Sequence, residues 1–592
     1  MNSHTAAGRP MTNIRQMLRD AWAIIRPYWF SEDRWAGRGL LLAVIVLNLT
    51  LVAITVVLNK WYNVFYNALQ DKNYDVFVRQ LYWFALLAGS SVLVAVYELY
   101  LNQMLQMRWR RWLTNRYLTA WLTGGAYYRM QLTAGETDNP DQRIAEDVRL
   151  FIAGANGGTG ALGLVIGGMR AVVTLVSFVV ILWGLSGSFR LPWIGLTIPA
   201  YMVWAALLYA LIGTWLTDRI GRPLVRLNFD QQRFEADFRF GLVRFRENTE
   251  GVALYRGEAD ELRGFRERFG AVVQNWWGIM RQRKRLTAFT AGYAQAAVIF
   301  PFIFAAPRFF RGEIQLGGLI QIAQAFGQVQ DSLSYLVAQY AEIAEWRAVI
   351  ERLAGFERTL DRVSAEAAVQ GIHQTAGDDA AVRLDHVDLL LPGGRRLLEG
   401  IDLTFHRGDR ALISGPTGAG KSTLFRAIAG IWPFGHGEIR MPAHGRVLFL
   451  PQKAYLPIGT LREVVSYPAL PGIVSDAVLR ETLEAVGLPE LGGQLDESAH
   501  WALRLSPGEQ QRIAFARALV QKPDWLFLDE ATSAVDEAAE ARLYQLIRER
   551  LPDTTLLSVG HRSTLRAFHD RQLIVKPNEN APASITEVAL TS

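Results

Sequence analysis

Residues 415–422 read Gly-Pro-Thr-Gly-Ala-Gly-Lys-Ser, and this stretch sets the architecture of the C-terminal half of the chain. The spacing Gly-x-x-x-x-Gly-Lys-Ser is that of a loop whose backbone N–H groups surround phosphate oxygens. Residues 410–414 before it predict a strand, and Lys421 is predicted to open a helix. Because strands and helices alternate from Val382 onward, the sequence predicts an α/β domain of roughly 200 residues.

The phosphate loop predicts a nucleotide site that takes ATP and Mg²⁺. Backbone N–H groups of residues 418–421 would surround the phosphates, Lys421 would reach the β- and γ-phosphates, and Ser422 would ligate Mg²⁺. The predicted ATP-binding residues of this segment are Gly415, Pro416, Thr417, Gly418, Ala419, Gly420, Lys421, Ser422 and Thr423.

Polar residues that follow other predicted strands complete this site. The apolar strand 525–528 leads into Asp529, which suits Mg²⁺ through water, and Glu530, which suits a general base for the attacking water. Gln452 and His561 also follow strands and are predicted to reach the γ-phosphate side, Gln452 as a further Mg²⁺ ligand. Glu530, His561 and Gln452 are the candidate catalytic residues. Each alone could be an ordinary loop residue, but their order along the chain relative to the other motifs supports a catalytic role.

Residues 505–509 read Leu-Ser-Pro-Gly-Glu and predict the start of a helix. Ser506 suits the N-cap, Pro507 the first helical position, and Glu509 the return bond of a capping box. A helix N-terminus attracts anions, although this segment alone would indicate nothing more than a helix start.

Upstream of residue 362 the chain is dominated by long apolar segments. A helix needs about 20 mostly apolar residues to cross a bilayer. Six spans are predicted, the last of them the most polar: residues 40–59, 81–101, 161–187, 191–217, 286–307 and 314–335. The predicted organisation is a transmembrane domain (1–362), a linker (363–381), an ATP-binding domain (382–576) and a C-terminal tail (577–592).

Basic residues flank the apolar segments, and the formal net charge is +6. Arginines concentrate in the two long connections after the second and fourth predicted spans, which places these connections and both termini in the cytoplasm. The same distribution accounts for the positive charge, so the predicted partner is the lipid bilayer, and no nucleic acid is expected. The chain has no Cys, which excludes disulfides and thiol catalysis.

The last predicted span carries a polar stripe. Gln321, Gln324, Gln328 and Asp331 fall on one helical face, and Glu98 is the lone charged residue of the second span. Polar groups that face lipid are costly, so these residues are predicted to line a translocation cavity. The alternative for the stripe is that its side chains only form hydrogen bonds that hold the helices together. For Glu98 the alternative, given equal weight, is a position near the end of its span, from which the side chain reaches the membrane interface.

Taken together, these motifs resemble those of ATP-binding cassette (ABC) transporters. In the family's order they are Walker A (415–422), the Q-loop Gln452, the signature (505–509), Walker B with Glu530, the D-loop with Asp536, and the switch His561. The resemblance implies a membrane α-helical bundle with six transmembrane helices and a type IV, exporter-like fold, fused to an α/β P-loop nucleotide-binding domain. It also implies an ATPase coupled to transport.

In that family two cassettes enclose two ATP molecules, so the resemblance implies that Ser506 and Gly508 serve the nucleotide of the other protomer. One cassette and six spans make a half-transporter, and a homodimer with twelve spans is therefore implied.

Three further segments indicate a subfamily of these transporters: residues 109–114, 138–144 and 306–310. They resemble the BacA-like bacterial uptake proteins and the related peroxisomal fatty-acyl (class D) transporters. This similarity implies a bacterial inner membrane and the import of peptides or other bulky hydrophilic compounds, such as antimicrobial peptides, bleomycin-like compounds or cobalamin. The alternatives are an exporter or flippase of lipids, drugs or fatty-acyl compounds, and an ATP-gated conduit or sensor.

Two segments depart from the family pattern. Pro507 and Glu509 stand where Gly and Gln are usual, and a carboxylate near phosphate predicts slow hydrolysis. Residues 389–392 carry no aromatic side chain where one usually stacks on adenine, which predicts an apolar adenine contact.

Overall fold

Apolar runs of the N-terminal half form long helices in the computed structural model, which describes residues 14–133, 139–155, 157–190, 197–369, 371–377, 381–469, 472–576 and 582–590. The chain divides into two units. The first, the membrane unit, comprises Met1–Leu118 and Asn139–Glu357, and the second, the cassette unit, comprises Thr119–Asp138 and Arg358–Ser592.

The described residues up to 369 form a succession of helices, interrupted by a two-stranded antiparallel pair. The helices are α1 (Ile14–Ile25), α2 (Arg34–Gln70), α3 (Tyr74–Leu122), α4 (Ala126–Thr133), α5 (Pro140–Gln142), α6 (Val148–Ala153), α7 (Ala161–Ser186), α8 (Tyr201–Glu247), α9 (Thr249–Tyr255), α10 (Glu258–Phe310), α11 (Leu316–Ala338) and α12 (Tyr340–Val369). The antiparallel pair consists of β1 (Ser188–Arg190) and β2 (Thr197–Pro199).

By length and composition, four helical stretches among the described residues could cross a membrane: α2, Tyr74–Leu132, α7 and α10. The fourth predicted span differs from the structure at its start, since β1 and β2 precede α8, which begins only at Tyr201. Pro199 has no N–H group to donate to a preceding helical turn, which favours a helix start after it. The count of six spans stays a prediction.

Helix α11 lies at the centre of packing in the membrane unit although it is the most polar of the predicted spans. Phe326 of α11 is fully buried together with Phe178 of α7, Met202 of α8 and Ala305 of α10. A helix enclosed by other helices can carry polar side chains, because its neighbours rather than lipid receive them.

The cassette unit combines strands and helices as the sequence predicts, but strict alternation is wrong, because several strands follow one another with no helix between them. The strands are β3 (His373–Gly377), β4 (Ala381–Leu390), β5 (Arg396–His406), β6 (Arg410–Ser414), β7 (Gly435–Pro442), β8 (Val447–Leu450), β9 (Gly459–Thr460), β10 (Ser498–Ala499), β11 (Trp525–Asp529), β12 (Thr555–Val559), β13 (Arg571–Lys576) and β14 (Ser584–Ala589). The helices are α13 (Lys421–Ile428), α14 (Leu461–Ser466), α15 (Asp476–Ala485), α16 (Trp501–Arg504), α17 (Pro507–Gln521) and α18 (Glu537–Arg550). The predicted strand before the phosphate loop is confirmed as β6.

The central sheet has the order β14-β13-β6-β12-β11-β8. Strands β13, β6, β12, β11 and β8 run parallel, and β14 is antiparallel. A second sheet has the order β3-β7-β4-β5. Residues 526–528 of β11 are fully buried, because both faces of this apolar strand are covered.

Residues 363–381, predicted as a linker, contain regular structure at both ends. Helix α12 continues to Val369, as its Ala-rich end favours, and β3 pairs in parallel with β7. The sequence of β3 is short and polar, so the pairing depends on a strand about 60 residues away that no local pattern indicates.

Candidate functional site

Four loops meet at one edge of the central sheet. The phosphate loop follows β6, Gln452 follows β8 after one residue, Glu530 follows β11, and His561 follows β12. Carboxyl ends of parallel strands share an edge, so the strand order alone brings these residues together.

Glycines determine the shape of the phosphate loop. Gly415, Gly418 and Gly420 have φ angles of 148°, 82° and 96°, which residues with a Cβ rarely adopt. A Cβ on Gly415 would lie 2.4 Å from the carbonyl oxygen of Val575. An Ala at position 415 would therefore have to displace β13.

Lys421 is the buried cation of the loop. Its Nζ donates to the carbonyl oxygens of Gly415 and Pro416, each at 2.8 Å. Burial lowers the pKa of Lys421, and the nearby carboxylates of Glu530 and Asp529 act in the opposite direction. The loop thus holds its own lysine in place, next to the exposed Thr417 and the buried Thr423.

The predicted magnesium ligands Ser422 and Asp529 are in direct contact. Ser422 Oγ donates to Asp529 Oδ1 at 2.8 Å, and burial raises the pKa of Asp529. A hydroxyl and a carboxylate are hard oxygen donors, the type that Mg²⁺ prefers, so this pair fits the ion.

Glu530 joins the other two candidate catalytic residues. Its Oε2 accepts from Gln452 Nε2 at 3.0 Å, and its Oε1 lies 2.7 Å from His561 Nε2. The backbone of Glu530 has a φ of 48°, an uncommon value for a residue with a Cβ. Gln452 is thereby directed to the predicted base, whereas its role as a Mg²⁺ ligand stays a prediction.

The helix start predicted at Ser506 is confirmed, with both bonds of the capping box. Glu509 Oε2 accepts from the N–H and the Oγ of Ser506 at 2.7 and 2.8 Å, and these bonds lower the pKa of Glu509. The carboxylate of Glu509 therefore forms its hydrogen bonds within the first turn of its own helix. Asp536 has a similar use, since its Oδ1 accepts from the N–H of Ala539 at 2.8 Å and caps α18. The slow hydrolysis and the apolar adenine contact stay predictions.

Sequence reasoning missed a segment that borders this site. Helix α4 belongs to the cassette unit, and its Tyr128 lines a cavity of about 420 Å³ together with Ser422, Gln452 and Asp529. Leu132, in the same helix, packs against the cassette core. The signal was the pair Gly124-Gly125, both with positive φ, which breaks the long helix α3 just before α4.

The structure separates the members of the polar stripe. Gln321 is 7% exposed, donates to Asn59 Oδ1 at 3.1 Å and accepts from Asn63 Nδ2 at 2.8 Å, both on α2. Gln324 and Asp331 are exposed, and Gln328 is half-buried. Gln321 thus makes the helix-to-helix bonds of the alternative interpretation, while the cavity role of the other three stays a prediction. Glu98 of α3 is half-buried, and its side chain makes no hydrogen bond or ion pair among the described residues.

A larger cavity lies elsewhere in the membrane unit. It measures about 750 Å³ between α8, α10 and the junction of α11 with α12. Leu211, Trp215 and Leu286 provide apolar walls, and the ion pair of Asp218 with Arg222 (Nη2 to Oδ2, 2.6 Å) lies at the same cavity. None of these residues belongs to the predicted stripe.

Two of the segments that indicate the subfamily, 138–144 and 306–310, contain arginines that hold helices together. Arg308 Nη1 donates to the carbonyl oxygens of Leu185 and Ser186 at 2.8 and 2.9 Å, which satisfies the end of α7. Asp147, 1% exposed, lies between Arg143 and Arg352 at 2.8 and 2.6 Å. Residue 138, at the start of that segment, lies outside the described residues.

Comparison with known families agrees with this geometry. Residues 24–310 match the family described as ABC transporter transmembrane region 2, and residues 398–533 match the family described as ABC transporter. An uncharacterized ABC transporter ATP-binding protein of Haemophilus influenzae is 37% identical over 90% of this chain and 88% of its own length. The inner membrane ABC transporter ATP-binding protein YddA of Escherichia coli is 34% identical over 93% and 96%.

More distant similarities extend over nearly the whole chain. The lysosomal cobalamin transporter ABCD4 of Mus musculus is 28% identical over 95% of each chain. Among solved structures, a bacterial Atm1-family ABC exporter with ATP bound superposes with a TM-score of 0.69 over 92% of this chain and 94% of that one, at 20% identity. At this identity the superposition establishes the fold.

Proposed function

The chain belongs to the ABC transporter family, and on that premise we propose that it imports peptides or other bulky hydrophilic compounds, as a homodimer in a bacterial inner membrane. It is an ATPase coupled to transmembrane transport, with an exporter-like membrane fold joined to one ATP-binding cassette. The contact of Glu530 with both Gln452 and His561 beside the phosphate loop carries the ATP-driven part of this proposal, and the cavity of about 750 Å³ in the membrane unit carries the cargo part.

In the proposed hydrolysis each residue of the site has one task. Lys421 would exchange its two loop carbonyls for the β- and γ-phosphate oxygens of ATP. Ser422 and Asp529 would hold Mg²⁺, which neutralises charge on the phosphates. Glu530 would accept the proton of the attacking water, with its carboxylate oriented by Gln452 and His561.

The homodimer is supported by surfaces that one protomer leaves open. Ser506 is exposed at the start of α17, where the family places the partner's nucleotide. At the tip between the long helices α8 and α10, Leu254 and Tyr255 of α9 are 76% and 90% exposed. In the proposed homodimer a second copy covers these two large apolar side chains.

The 750 Å³ cavity supports a cargo of mixed polarity. Leu211, Trp215 and Leu286 would receive apolar groups, and the Asp218–Arg222 pair and Tyr340 would receive polar ones. Peptides combine apolar side chains, charges and hydrogen-bonding amides. Cobalamin, the cargo named for the relative ABCD4, is also large and amphipathic.

The same apolar walls favour a second candidate function, the export or flipping of lipids, drugs or fatty-acyl compounds. Leu211 and Trp215 line this cavity and are 57% and 64% exposed, which suits an acyl chain as well as a peptide side chain. The direction of transport and the cargo are therefore tested together.

The test is accumulation of a labelled Pro-rich peptide in cells that lack their own uptake system. Wild type is compared with Glu530→Gln, and Glu537→Gln is the matched control because Glu537 is exposed on the first turn of α18. Import predicts accumulation with wild type and Glu537→Gln only. Parallel cells receive labelled cobalamin or a fluorescent acyl compound.

Other results would change the proposal in defined ways. Loss of peptide from preloaded cells, dependent on Glu530, would replace import by export. Equal leakage through wild type and Glu530→Gln would replace a pump by an ATP-gated conduit. No transport of the peptide by a chain whose ATP hydrolysis and membrane insertion are verified would remove this peptide as cargo and favour cobalamin uptake or lipid export.

A further inference from the structure

Gln511, in the second turn of α17, is a buried amide that the predicted hydrolysis does not use. Its side chain is 3% exposed. Nε2 donates to the carbonyl oxygen of Gln452 at 3.0 Å and to Ser533 Oγ at 3.1 Å, and Oε1 accepts from the N–H of Ala534 at 2.8 Å. A buried amide with three such bonds fixes the relative positions of the segments it joins.

Those segments are three different motifs. Gln452 contacts the predicted base Glu530 through its side chain and Gln511 through its backbone. Ser533 and Ala534 open the D-loop that leads to Asp536. Gln511 itself lies in the helix that begins with the signature residue Ser506.

A second contact joins the signature helix to the D-loop. A Cβ on Gly508 would lie 3.0 Å from the carbonyl oxygen of Ala534. Both backbone groups of Ala534 therefore lie against α17, one at Gly508 and one at Gln511. Because the approach at Gly508 leaves little room for a Cβ, the D-loop lies close to the signature helix.

We propose that Gln511 is a positioning residue that couples the two ATP sites of the homodimer. When Gln452 moves as the γ-phosphate arrives or leaves, its carbonyl oxygen carries Gln511 with it. Gln511 in turn moves the D-loop and the signature helix of the same protomer, which face the other nucleotide in the proposed pair. This inference depends on the paired cassettes of the proposed function.

The test compares Gln511→Met with Gln521→Met in the full-length protein in nanodiscs. Met has a volume close to that of Gln and no amide, so Gln511→Met removes all three bonds with little change in packing. Gln521 lies at the end of the same helix, and in the part of the chain that the structure describes its side chain makes one hydrogen bond, from Nε2 to the carbonyl oxygen of Tyr467 at 2.7 Å. It therefore controls for the loss of an amide from α17.

Gln511→Met is expected to lower kcat for ATP by about tenfold with KM within about twofold, because the phosphate loop is untouched. Its Hill coefficient for ATP should fall from the wild-type value to 1. Gln521→Met should retain both wild-type values. A lesion of folding alone would instead scale activity with the folded fraction and leave the Hill coefficient unchanged.

Two outcomes would overturn the coupling, and they differ in what else they remove. A wild-type Hill coefficient above 1 that survives in Gln511→Met would remove the role of Gln511 and leave the paired sites intact. A wild-type Hill coefficient of 1 would remove the coupling together with its premise that two cassettes work as a pair.

Discussion

In the cassette unit, side chains of the same residue type have different roles because their hydrogen-bond partners differ. Glu530 and Glu509 are both carboxylates at the start of a loop or helix, yet one contacts Gln452 and His561 and the other caps its own helix. Glutamine shows the same contrast, since Gln452 contacts the predicted base and Gln511 contacts backbone. The residue type determines which hydrogen bonds a side chain can make, and the neighbouring groups determine which of these bonds form.

His569 leads to a prediction of pH-dependent stability. The ring is 5% exposed, with Nδ1 2.7 Å from the carbonyl oxygen of Leu565 and Nε2 2.9 Å from Ser558 Oγ, and burial lowers its pKa from 6.5 to about 4. Between these values the unfolded chain binds the proton and the native chain does not, so stability rises with pH. The contribution is complete above pH 6.5 and is lost as the pH falls toward 4.

We expect the free energy of unfolding of the cassette to fall by about 3 kcal/mol across this range from His569 alone. His569→Gln should be less stable than wild type at pH 7.5 and have a flatter profile between pH 7 and 5. Calorimetry of the full-length protein at several pH values measures this. His444→Gln, at an exposed position, should keep the wild-type slope, and an unchanged slope in His569→Gln would contradict the assignment.

Among the secondary-structure elements, α11 and α2 form the contact that most clearly departs from expectation. Asn63 and Asn67 of α2 face α11, where Gly317 N donates to Asn67 Oδ1 at 2.8 Å and Gln321 accepts from Asn63. Gln70 extends this series, since its Oε1 accepts from the N–H of Leu316 at 2.7 Å. The series satisfies the first N–H groups of α11, which its own helix leaves unpaired.

Close approach of these helices leads to a prediction for two glycines of α11. A Cβ on Gly317 would lie 1.9 Å from the carbonyl oxygen of Asn63, whereas a Cβ on Gly327 meets nothing within 4 Å. Gly317→Ala should therefore destabilise the membrane unit by about 1–3 kcal/mol by forcing α2 and α11 apart. Gly327→Ala should be neutral or stabilising by up to about 1 kcal/mol, because Ala favours helix.

Thermal unfolding of the two variants in the same detergent provides the comparison. A lower unfolding temperature for Gly317→Ala than for Gly327→Ala is expected. Equal unfolding temperatures would show that α2 and α11 are not in contact at this point in the folded protein.

At the scale of the whole molecule, one chain carries a phosphate loop, a signature segment and a set of membrane helices. In the proposed dimer each hydrolysis site takes its signature residues from the other protomer. If closing the pair requires two intact sites, a dimer with one inactive subunit hydrolyses no ATP.

Co-expression of wild type with Glu530→Gln tests this dependence. At equal amounts and random pairing, a quarter of the dimers are fully wild type, so hydrolysis should fall to about a quarter of the wild-type rate. A value of about one half would mean that each site works alone. Different affinity tags on the two subunits allow the mixed dimer to be purified and measured directly.

The motif residues of the site could be predicted because each one follows its own strand. Gly415, Gln452, Glu530 and His561 are each recognisable from a few neighbouring residues, and parallel strand order then brings them together at one edge. The capping box at Ser506 is also local, since it is complete within four residues.

Contacts between distant segments were decided by the tertiary structure alone. The bonds of Gln321 to α2 span about 260 residues, those of Gln511 to Gln452 span 59, and α4 joins the cassette unit across more than 200. A polar face on α11 has the same periodicity whether it meets water, cargo or another helix. Local sequence thus determined the phosphate loop, the catalytic motifs and the helix starts, whereas the use of each polar side chain depended on which distant backbone or side chain packed against it.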